Sequence, residues 1–389
     1  MSSPPLPPPT LVADPGGLDE LVRVLATSSP IAVDTESNSM HAYRERVCLI
    51  QFSTPRVDFI VDAIALKDLS PLATVFASPE QEKIFHAAEG DVLNLARDFG
   101  FAFANIFDTM TAARTLGWSQ VGLAAILDSR FGVTLNKKYQ RADWGRRPLT
   151  EEMLDYARFD THYLPALRDL QFQALSESGN WPEAHEEFAR LARIRAEAGA
   201  EEGDPMAFWR VKGAFDLVPQ RAAVLQALCA WREAQAQRID QPPFKVMGEP
   251  ALLLLARHAP TRPDELQRVA GLSPMQIQRY GRDLIRVVER GLQAPPPSKP
   301  QAEREPDDVR ERFDRLHTWR KERARKRGVE SDVILPRAVL RDMARRPPRT
   351  HDDLAGIVDF GPWRRQTYGD EVLALLSNAP AAVAPDESR

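Results

Sequence analysis

The chain has 389 residues, of which 43% are hydrophobic and 27% charged, enough for two to four domains of an ordinary globular protein. Its net charge of −4 excludes a polycation, and no apolar run approaches the roughly 20 residues that span a membrane. The N-terminal MSSPPLPPPTLVADPGG lacks the regions of a secretory signal. Two cysteines, Cys48 and Cys229, are too few for a disulfide framework or a cysteine zinc site. We therefore expect a cytoplasmic protein that does not enter the membrane, and a monomer.

Residues 1–14 are rich in proline and are predicted to form a disordered lead. From residue 15 to 210, short β-branched, apolar stretches alternate with helix-like patterns. This alternation predicts an α/β domain with helices on the faces of a sheet. The strand-like stretches are IAVDTE, RVCLIQFS, VDFIVD, KIFHA and NIFDT. The first three are predicted to form a meander, because their connections are too short for crossover helices.

Helical patterns with apolar residues at i, i+3 and i+4 follow or separate these strands. They comprise DELVRVLAT, LSPLATVFAS, GDVLNLARDFG, TMTAARTLG and VGLAAILDSRFG. After a polar loop, TEEMLDYARFDTHYLPALRDLQFQAL is predicted to be one long helix. Thr150 is its expected N-cap, with Glu151 and Glu152 in the first turn.

An internal repeat follows this domain. A shift of 88 residues takes Trp231-Arg232 to Trp319-Arg320 and Tyr280-Gly281 to Tyr368-Gly369. Residues 217–293 and 306–378 are therefore predicted to be two copies of one small helical module. The matching positions of the two tryptophans favour packing in the module cores. A proline-rich linker is predicted at 294–305 and a disordered tail at 379–389.

The second module is strongly basic. Residues 310–349 contain 14 Lys and Arg against 6 Asp and Glu, an excess of 8. Such a patch can bind nucleic acid, but a charge run by itself equally fits a solvated helix face.

The stretch IAVDTES places Asp34 and Glu36 two residues apart, so on a strand both carboxylates project from one face. Two adjacent anions are costly unless cations compensate them, and Mg²⁺ and Mn²⁺ prefer oxygen ligands. Alone, the pattern also fits a strand that merely ends in polar residues.

Three further residues strengthen the first interpretation. Asp91 begins a predicted helix, where the helix dipole alone would favour a carboxylate. Tyr156 and Asp160 are four residues apart on a predicted helix and share one of its faces. His86 at a strand end and Asp108 before a helix are interpreted as structural residues.

Together, Asp34-x-Glu36, Asp91 and Tyr156-x₃-Asp160 resemble the DEDD exonuclease superfamily, and the tyrosine is typical of its DEDDy subgroup. KKYQRADWGRRPLTEEMLDYARFDTHYL is similar to the third motif of ribonuclease D and of the related exosome exonuclease. The two modules resemble HRDC domains, which follow the exonuclease domain in bacterial ribonuclease D. The resemblance covers roughly residues 15–378. It implies an RNase H-like mixed sheet followed by two helical domains.

The resemblance also implies a mechanism, two-metal hydrolysis of phosphodiesters. Asp34, Glu36, Asp91 and Asp160 would bind two divalent cations, Mg²⁺ or Mn²⁺. Tyr156 would orient the attacking water, because a phenol with a pKa of about 10 is a poor base at neutral pH. Glu36 would also accept a hydrogen bond from the terminal 3′-hydroxyl, which favours chain ends. The expected reaction releases nucleoside 5′-monophosphates from the 3′ ends of tRNA precursors and other structured RNA.

Lys137, Lys138, Gln140 and Arg147 flank the site in sequence and either contact substrate phosphates or solvate a loop. Trp144 is interpreted as a packing residue. Two alternative functions are a DNA 3′–5′ exonuclease and an inactive nucleic-acid-binding scaffold. The complete set of four carboxylates and Tyr156 argues against the scaffold.

Overall fold

A six-stranded sheet organises the N-terminal region of the computed structural model, which describes residues 6–195, 204, 206–300 and 305–377. Its strands are Thr10–Val12 (β1), Ile31–Ser37 (β2), Val47–Ser53 (β3), Asp58–Asp62 (β4), Lys83–Phe85 (β5) and Ile106–Asp108 (β6). The spatial order is β1-β4-β3-β2-β5-β6. β3 and β4 pair antiparallel, whereas β1 with β4, β2 with β5, and β5 with β6 pair parallel. The predicted mixed sheet is confirmed, and β2, β3 and β4 are neighbours as the predicted meander requires.

Strand β1 lies within the segment 1–14 that we predicted to be disordered, so that prediction is wrong for Thr10–Val12. β1 pairs with Phe59–Val61 of β4, and its Val12 is buried. Proline cannot donate to a sheet, but a strand at the edge of the sheet needs a partner on one side only. The prolines before β1 suggested disorder, but they are compatible with a short edge strand that follows them. Residues 1–5 of the predicted lead and the predicted tail 379–389 lie outside the described residues.

Helices alternate with these strands as predicted. Asp108 caps one of them by accepting a hydrogen bond of 2.6 Å from the Thr111 N–H, and Thr150 caps another by accepting from the Met153 N–H at 3.3 Å. The helices are Pro15–Ala26 (α1), Ala73–Ala77 (α2), Glu89–Phe99 (α3), Thr109–Thr115 (α4), Leu123–Phe131 (α5), Glu151–His162 (α6), Leu164–Glu177 (α7) and Trp181–Leu191 (α8). A short 3₁₀ helix, Ser70–Leu72, precedes α2.

The single long helix predicted from Thr150 is wrong, because the chain forms α6 and α7 with Tyr163 between them. Pro165 lies in the first turn of α7. It has no N–H to donate, and in a continuous helix its ring would clash with the carbonyl four residues earlier. The apolar period continues across the proline, which is why the pattern suggested one helix. The break lets α6, which carries Tyr156 and Asp160, take its own direction.

The two helical modules have the same element order. The first comprises Pro219–Arg238 (α9), Pro243–Val246 (α10), Glu249–His258 (α11), Pro263–Gln267 (α12) and Pro274–Gln293 (α13). The second comprises Asp307–Arg327 (α14), Ser331–Ile334 (α15), Arg337–Arg345 (α16), His351–Ala355 (α17) and Pro362–Ser377 (α18). The helical fold predicted for both copies is confirmed.

The repeat extends to side-chain geometry. Trp231 meets Tyr280 edge-on with ring centroids 5.3 Å apart, and Trp319 meets Tyr368 in the same way at 5.5 Å. The next residue of each pair also has an equivalent contact: Arg232 donates to the Met247 carbonyl and Arg320 to the Leu335 carbonyl. Both tryptophans are only 8% exposed, which agrees with their predicted packing role.

The first module begins earlier than the predicted residue 217. Phe208, Trp209 and Val211 are buried in its core, so the predicted end of the α/β domain at residue 210 is too late. Phe208 and Trp209 lie on a 3₁₀ helix, Ala207–Arg210, Val211 follows it directly, and a second 3₁₀ helix spans Ala214–Asp216.

The described chain divides into two compact units. One includes the sheet, α1–α8 and the second module, and the other includes the first module together with the β2–β3 connection. Across the described ranges, no helix has the length and apolar character needed to cross a membrane.

Candidate active site

The predicted carboxylates lie where the end of β2 meets helices from both faces of the sheet. Ile31 and Val33 share a core cluster with Val92 and Leu95 of α3, whereas Ala32 belongs to a cluster on the opposite side. Side chains alternate between faces along a strand, so Asp34 and Glu36 lie on the side of Ala32. Thr35 lies on the side of α3.

Helix α3 brings Asp91 to this strand end. Asp91 is in its first turn, and its carboxylate accepts a short hydrogen bond from the Thr35 hydroxyl. Asp108 fixes the start of the helix, since its carboxylate accepts from the Ala88 N–H at 2.6 Å. His86 is held by the Thr109 hydroxyl at 2.8 Å, and burial lowers its pKa. These contacts support the structural interpretation of both His86 and Asp108.

Helix α6 presents Tyr156 and Asp160 from the other side. Its Ala157 is buried against Cys48 and Leu49 of β3 and Ile60 of β4. The Tyr156 ring packs against Trp144 and Tyr139, with centroids 5.9 Å from each. Burial and the nearby carboxylates of Asp160, Glu36 and Asp34 raise the pKa of Tyr156 above its ordinary value. The phenol is therefore protonated at neutral pH and available as a donor.

Electrostatics show that the four carboxylates act on one another. Burial raises the pKa of Asp34 well above its usual range, and repulsion from Asp91, Asp160 and Glu36 adds to it. Burial followed by repulsion from Asp160 and Asp91 raises the pKa of Glu36 to about 9. Burial is also the main reason that the pKa values of Asp91 and Asp160 are both raised to about 7. The largest electrostatic contributors to the upward shifts are other carboxylates, Asp108 in the case of Asp91, so the raised pKa values reflect acidic groups gathered in one place.

Two family models match this chain. A family model described as 3′-5′ exonuclease matches residues 9–171, and the HRDC domain model matches residues 221–288 and 309–376. The chain is 28% identical to a ribonuclease D of Pseudomonas paraeruginosa over 95% of this chain and 97% of that protein. It belongs to the 3′–5′ exonucleases of the ribonuclease D and RRP6 group.

Two solved structures of the group share the fold. The chain superimposes on Escherichia coli RNase D with a TM-score of 0.68 and 25% identity, covering 96% of this chain and 100% of that one. It matches the catalytic core of RRP6 from Trypanosoma brucei with a TM-score of 0.65 and 32% identity, covering 74% and 80%. The chain spans about a third of the length of the RRP6-like curated relatives that it matches.

A cavity of about 390 Å³ adjoins the carboxylates. Tyr156, Asp160, Lys137 and Gln140 are among the residues that line it, so two of the predicted substrate contacts lie beside the site. Lys138 is not part of the lining. Its ammonium lies 3.9 Å from Glu152 and over the Tyr139 ring.

Arg147 makes structural contacts, and these favour a role in its loop over the substrate contact that the sequence left open as an alternative. Its guanidinium donates to both carboxylate oxygens of Asp62 at 2.6 Å and to the carbonyls of Trp144, Arg146 and Cys48. An arginine has five N–H donors, and these acceptors engage all of them. Arg147 therefore ties the loop before α6 to β3 and β4. Trp144 is 1% exposed, in agreement with its predicted packing role.

The donor set fits hard divalent cations by its chemistry. Within the described ranges, no three His, Cys, Asp or Glu side chains are arranged so that they could hold a metal ion as they stand. The four carboxylates nevertheless offer only oxygen ligands, and their mutual repulsion is the cost that a cation would remove. Asp34, Glu36, Asp91 and Asp160 are the residues that would hold it.

Sequence reasoning missed Thr35 and the Asp62–Arg147 pair. A signal for Thr35 existed, because strand alternation places it toward α3 while its neighbours face α6. No comparable local signal existed for Arg147, whose partner is 85 residues away in the chain.

Proposed function

We propose that the chain is a 3′→5′ exoribonuclease that releases nucleoside 5′-monophosphates and trims structured RNA such as tRNA precursors. The observation that carries the proposal is the convergence of Asp34, Glu36, Asp91 and Asp160 from three elements into one cluster beside Tyr156, in which the carboxylates raise one another's pKa values. Carboxylates gathered in a partly buried site, with raised pKa values, are expected where cations bind.

In this proposal the four carboxylates hold two divalent cations. When bound, such a pair supplies a water of lowered pKa and stabilises charge on the leaving 3′-oxygen. The α3 dipole and the Thr35 hydroxyl hold Asp91 in place. Asp34 and Glu36 project from one strand face, so a small shift of β2 would move both.

Tyr156 acts as a donor that orients the attacking water. Its phenol is held between Trp144 and Tyr139 and lies one helical turn from Asp160. Fixing the direction of the water lowers the entropic part of the barrier without any need for a phenolate.

Two observations support RNA as the substrate. Escherichia coli RNase D, whose structure the chain matches over nearly its whole length, is described as an exoribonuclease involved in structured RNA processing. The second module also exposes basic side chains, including Arg325, Lys326, Arg345, Arg346 and Arg349, that would contact a phosphate backbone without reading its sequence.

A nuclease assay tests the proposal. The protein would be incubated with labelled tRNA precursor, unstructured RNA and single-stranded DNA in Mg²⁺, Mn²⁺ or EDTA. We expect mononucleotides from RNA, and none with EDTA or with Asp34→Ala. Asp155→Ala, an exposed carboxylate on the same helix as Asp160, is the matched control and should remain active. Faster cleavage of DNA would exclude the RNA assignment, and binding without metal-dependent release would exclude both nucleases.

A further inference from the structure

The last helix of each module begins differently. In the first module, Ser273 caps α13 with a reciprocal arrangement: its hydroxyl accepts from the Gln276 N–H, and the Gln276 side chain accepts from the Ser273 N–H. The position 88 residues later is Gly361, which has no side chain and cannot cap α18.

Glu186 of α8 supplies the missing cap from the nuclease domain. Its Oε2 accepts hydrogen bonds from the N–H of Trp363 at 2.7 Å and of Arg364 at 3.4 Å. A carboxylate at a helix N-terminus satisfies free N–H groups and interacts favourably with the helix dipole. A Cβ atom at Gly361 would lie 2.1 Å from Glu186, so the approach requires glycine.

Ion pairs around this cap hold the second module on the nuclease domain. Arg364, which is 3% exposed, pairs with Glu186 at 2.8 Å and also donates to the Ile334 and Val333 carbonyls. Arg327 pairs with the buried Glu183 at 2.6 Å, and Asp332 pairs with Arg114 at 2.6 Å.

The first module lacks these charges at the equivalent positions. Counterparts of Arg327, Asp332 and Arg364 are Ile239, Phe244 and Gln276. Gln276 makes the equivalent internal contact, to the Val246 carbonyl, but carries no charge. The two modules also differ in basicity: residues 222–261 contain 4 Lys and Arg against 3 Asp and Glu, compared with 14 against 6 in residues 310–349. The basic module is thus the one whose last helix is capped by the nuclease domain.

We propose that Glu186 completes the second module and makes it a rigid extension of the nuclease domain, so that its basic helices hold RNA at a fixed position relative to the carboxylates. This inference rests on the proposed exoribonuclease function. Glu186 and Gly361 are then positioning residues. The alternative is a module on a flexible linker, which would raise the local RNA concentration without fixing where the RNA lies.

Two variants of the full chain test the inference. Gly361→Ala forces Glu186 away, and Glu186→Ala removes the cap without a clash. Both should increase amide hydrogen exchange at the start of α18 by about 10-fold. Both should raise KM for a long structured RNA by about 5-fold and leave kcat for a trinucleotide unchanged. Ser273→Ala is the matched control, expected to increase exchange at α13 but not at α18.

The outcomes separate the possible failures. Unchanged exchange at α18 in both variants would show that Glu186 is not the cap. Increased exchange with an unchanged KM for long RNA would show that the docked module does not position substrate. If the wild-type protein releases no nucleotides from RNA, the proposed function fails, whereas the exchange experiment still decides whether the cap exists.

Discussion

Two groups of charged side chains in the same compact unit, most of them partly buried, follow opposite rules. At the end of β2, four carboxylates gather, and their mutual repulsion and burial raise their pKa values. On α8, Glu183 and Glu186 each meet an arginine of the second module at 2.6 and 2.8 Å. Paired charges serve structure, whereas an unpaired cluster of one sign costs stability unless it binds something. The carboxylates therefore fit the proposed metal site, whereas the paired charges on α8 form a structural interface.

The largest effect should come from removing one carboxylate. Asp34→Asn keeps the size of the side chain and removes its charge, so we expect activity on RNA to fall at least roughly 10³-fold, about 4 kcal/mol. The metal-free variant should unfold at a higher temperature than wild type, because one source of repulsion is gone. Activity and thermal unfolding in EDTA measure both effects. If Asp34→Asn unfolds at a lower temperature than wild type in EDTA, repulsion between the carboxylates does not destabilise the metal-free protein.

Removing one charged residue from the interface between α8 and the second module should lower stability, whereas removing a carboxylate from the cluster should raise it. Arg364→Met leaves Glu186, whose side chain is 10% exposed, without its cation and removes two contacts to carbonyls, so the free energy of unfolding should fall by roughly 3 kcal/mol. The matched variant Gln276→Met in the first module removes no charge, only the contact to the Val246 carbonyl and the Gln276 side of the α13 cap, and should lose about 1 kcal/mol. Urea unfolding of both variants gives the comparison. Equal losses would mean that the interface charges contribute no more than these neutral hydrogen bonds.

The stability of the metal-free protein should depend on pH through the carboxylate cluster. The pKa values of Asp91 and Asp160, about 7, and of Glu36, about 9, lie above their ordinary values of 3.8 and 4.5. At pH values between the ordinary and the raised pKa values, the folded chain binds more protons than the unfolded chain. The free energy of unfolding therefore falls as pH rises from about 4 to about 9. Since the carboxylates keep partial contact with solvent, we expect a loss on the order of 2 kcal/mol.

Chemical unfolding in EDTA at several pH values measures this loss, and Mn²⁺ should reduce it. Asp34→Asn should flatten the profile, whereas Arg364→Met should lower stability and leave the contribution of the carboxylate cluster to the slope unchanged. A slope that is the same in wild type and Asp34→Asn would assign the pH dependence to groups outside the cluster.

Tyr156→Phe should have a smaller effect on catalysis than loss of a carboxylate. Without the hydroxyl the attacking water loses one orienting contact, and kcat should fall roughly 30-fold, about 2 kcal/mol. Stability should change little, because the ring keeps its packing against Trp144 and Tyr139. A loss of activity as large as that of Asp34→Asn would indicate that the tyrosine does more than orient water.

The same contrast explains what could be predicted from the sequence. The candidate site residues could be predicted because the strand period places Asp34 and Glu36 on one face, and the helix period places Tyr156 and Asp160 on one face. The interface between α8 and the second module could not be predicted, because Glu186 lies 178 residues from Arg364 and neither residue belongs to a local sequence pattern. The contacts of Arg147 were unpredictable for the same reason: its position in sequence left a substrate contact or a loop role open, and its distant acceptors lie on β3 and β4. Strand β1 was missed because its partner β4, rather than its own short sequence, makes it a strand.

The smallest predicted effect concerns Thr35, which connects the carboxylate cluster to α3. Thr35→Val preserves shape but removes the hydrogen bond to Asp91, so we expect kcat to fall about 5-fold, about 1 kcal/mol. Loss of this donor also removes an interaction that lowers the pKa of Asp91, so the variant should need more Mn²⁺ for half-maximal activity. Activity measured across Mn²⁺ concentrations tests both points, with Thr111→Val on α4 as a control outside the cluster. If saturating Mn²⁺ restores full activity, Thr35 contributes through cation binding alone; if the requirement for Mn²⁺ does not change, Asp91 is held by α3 without help from the strand.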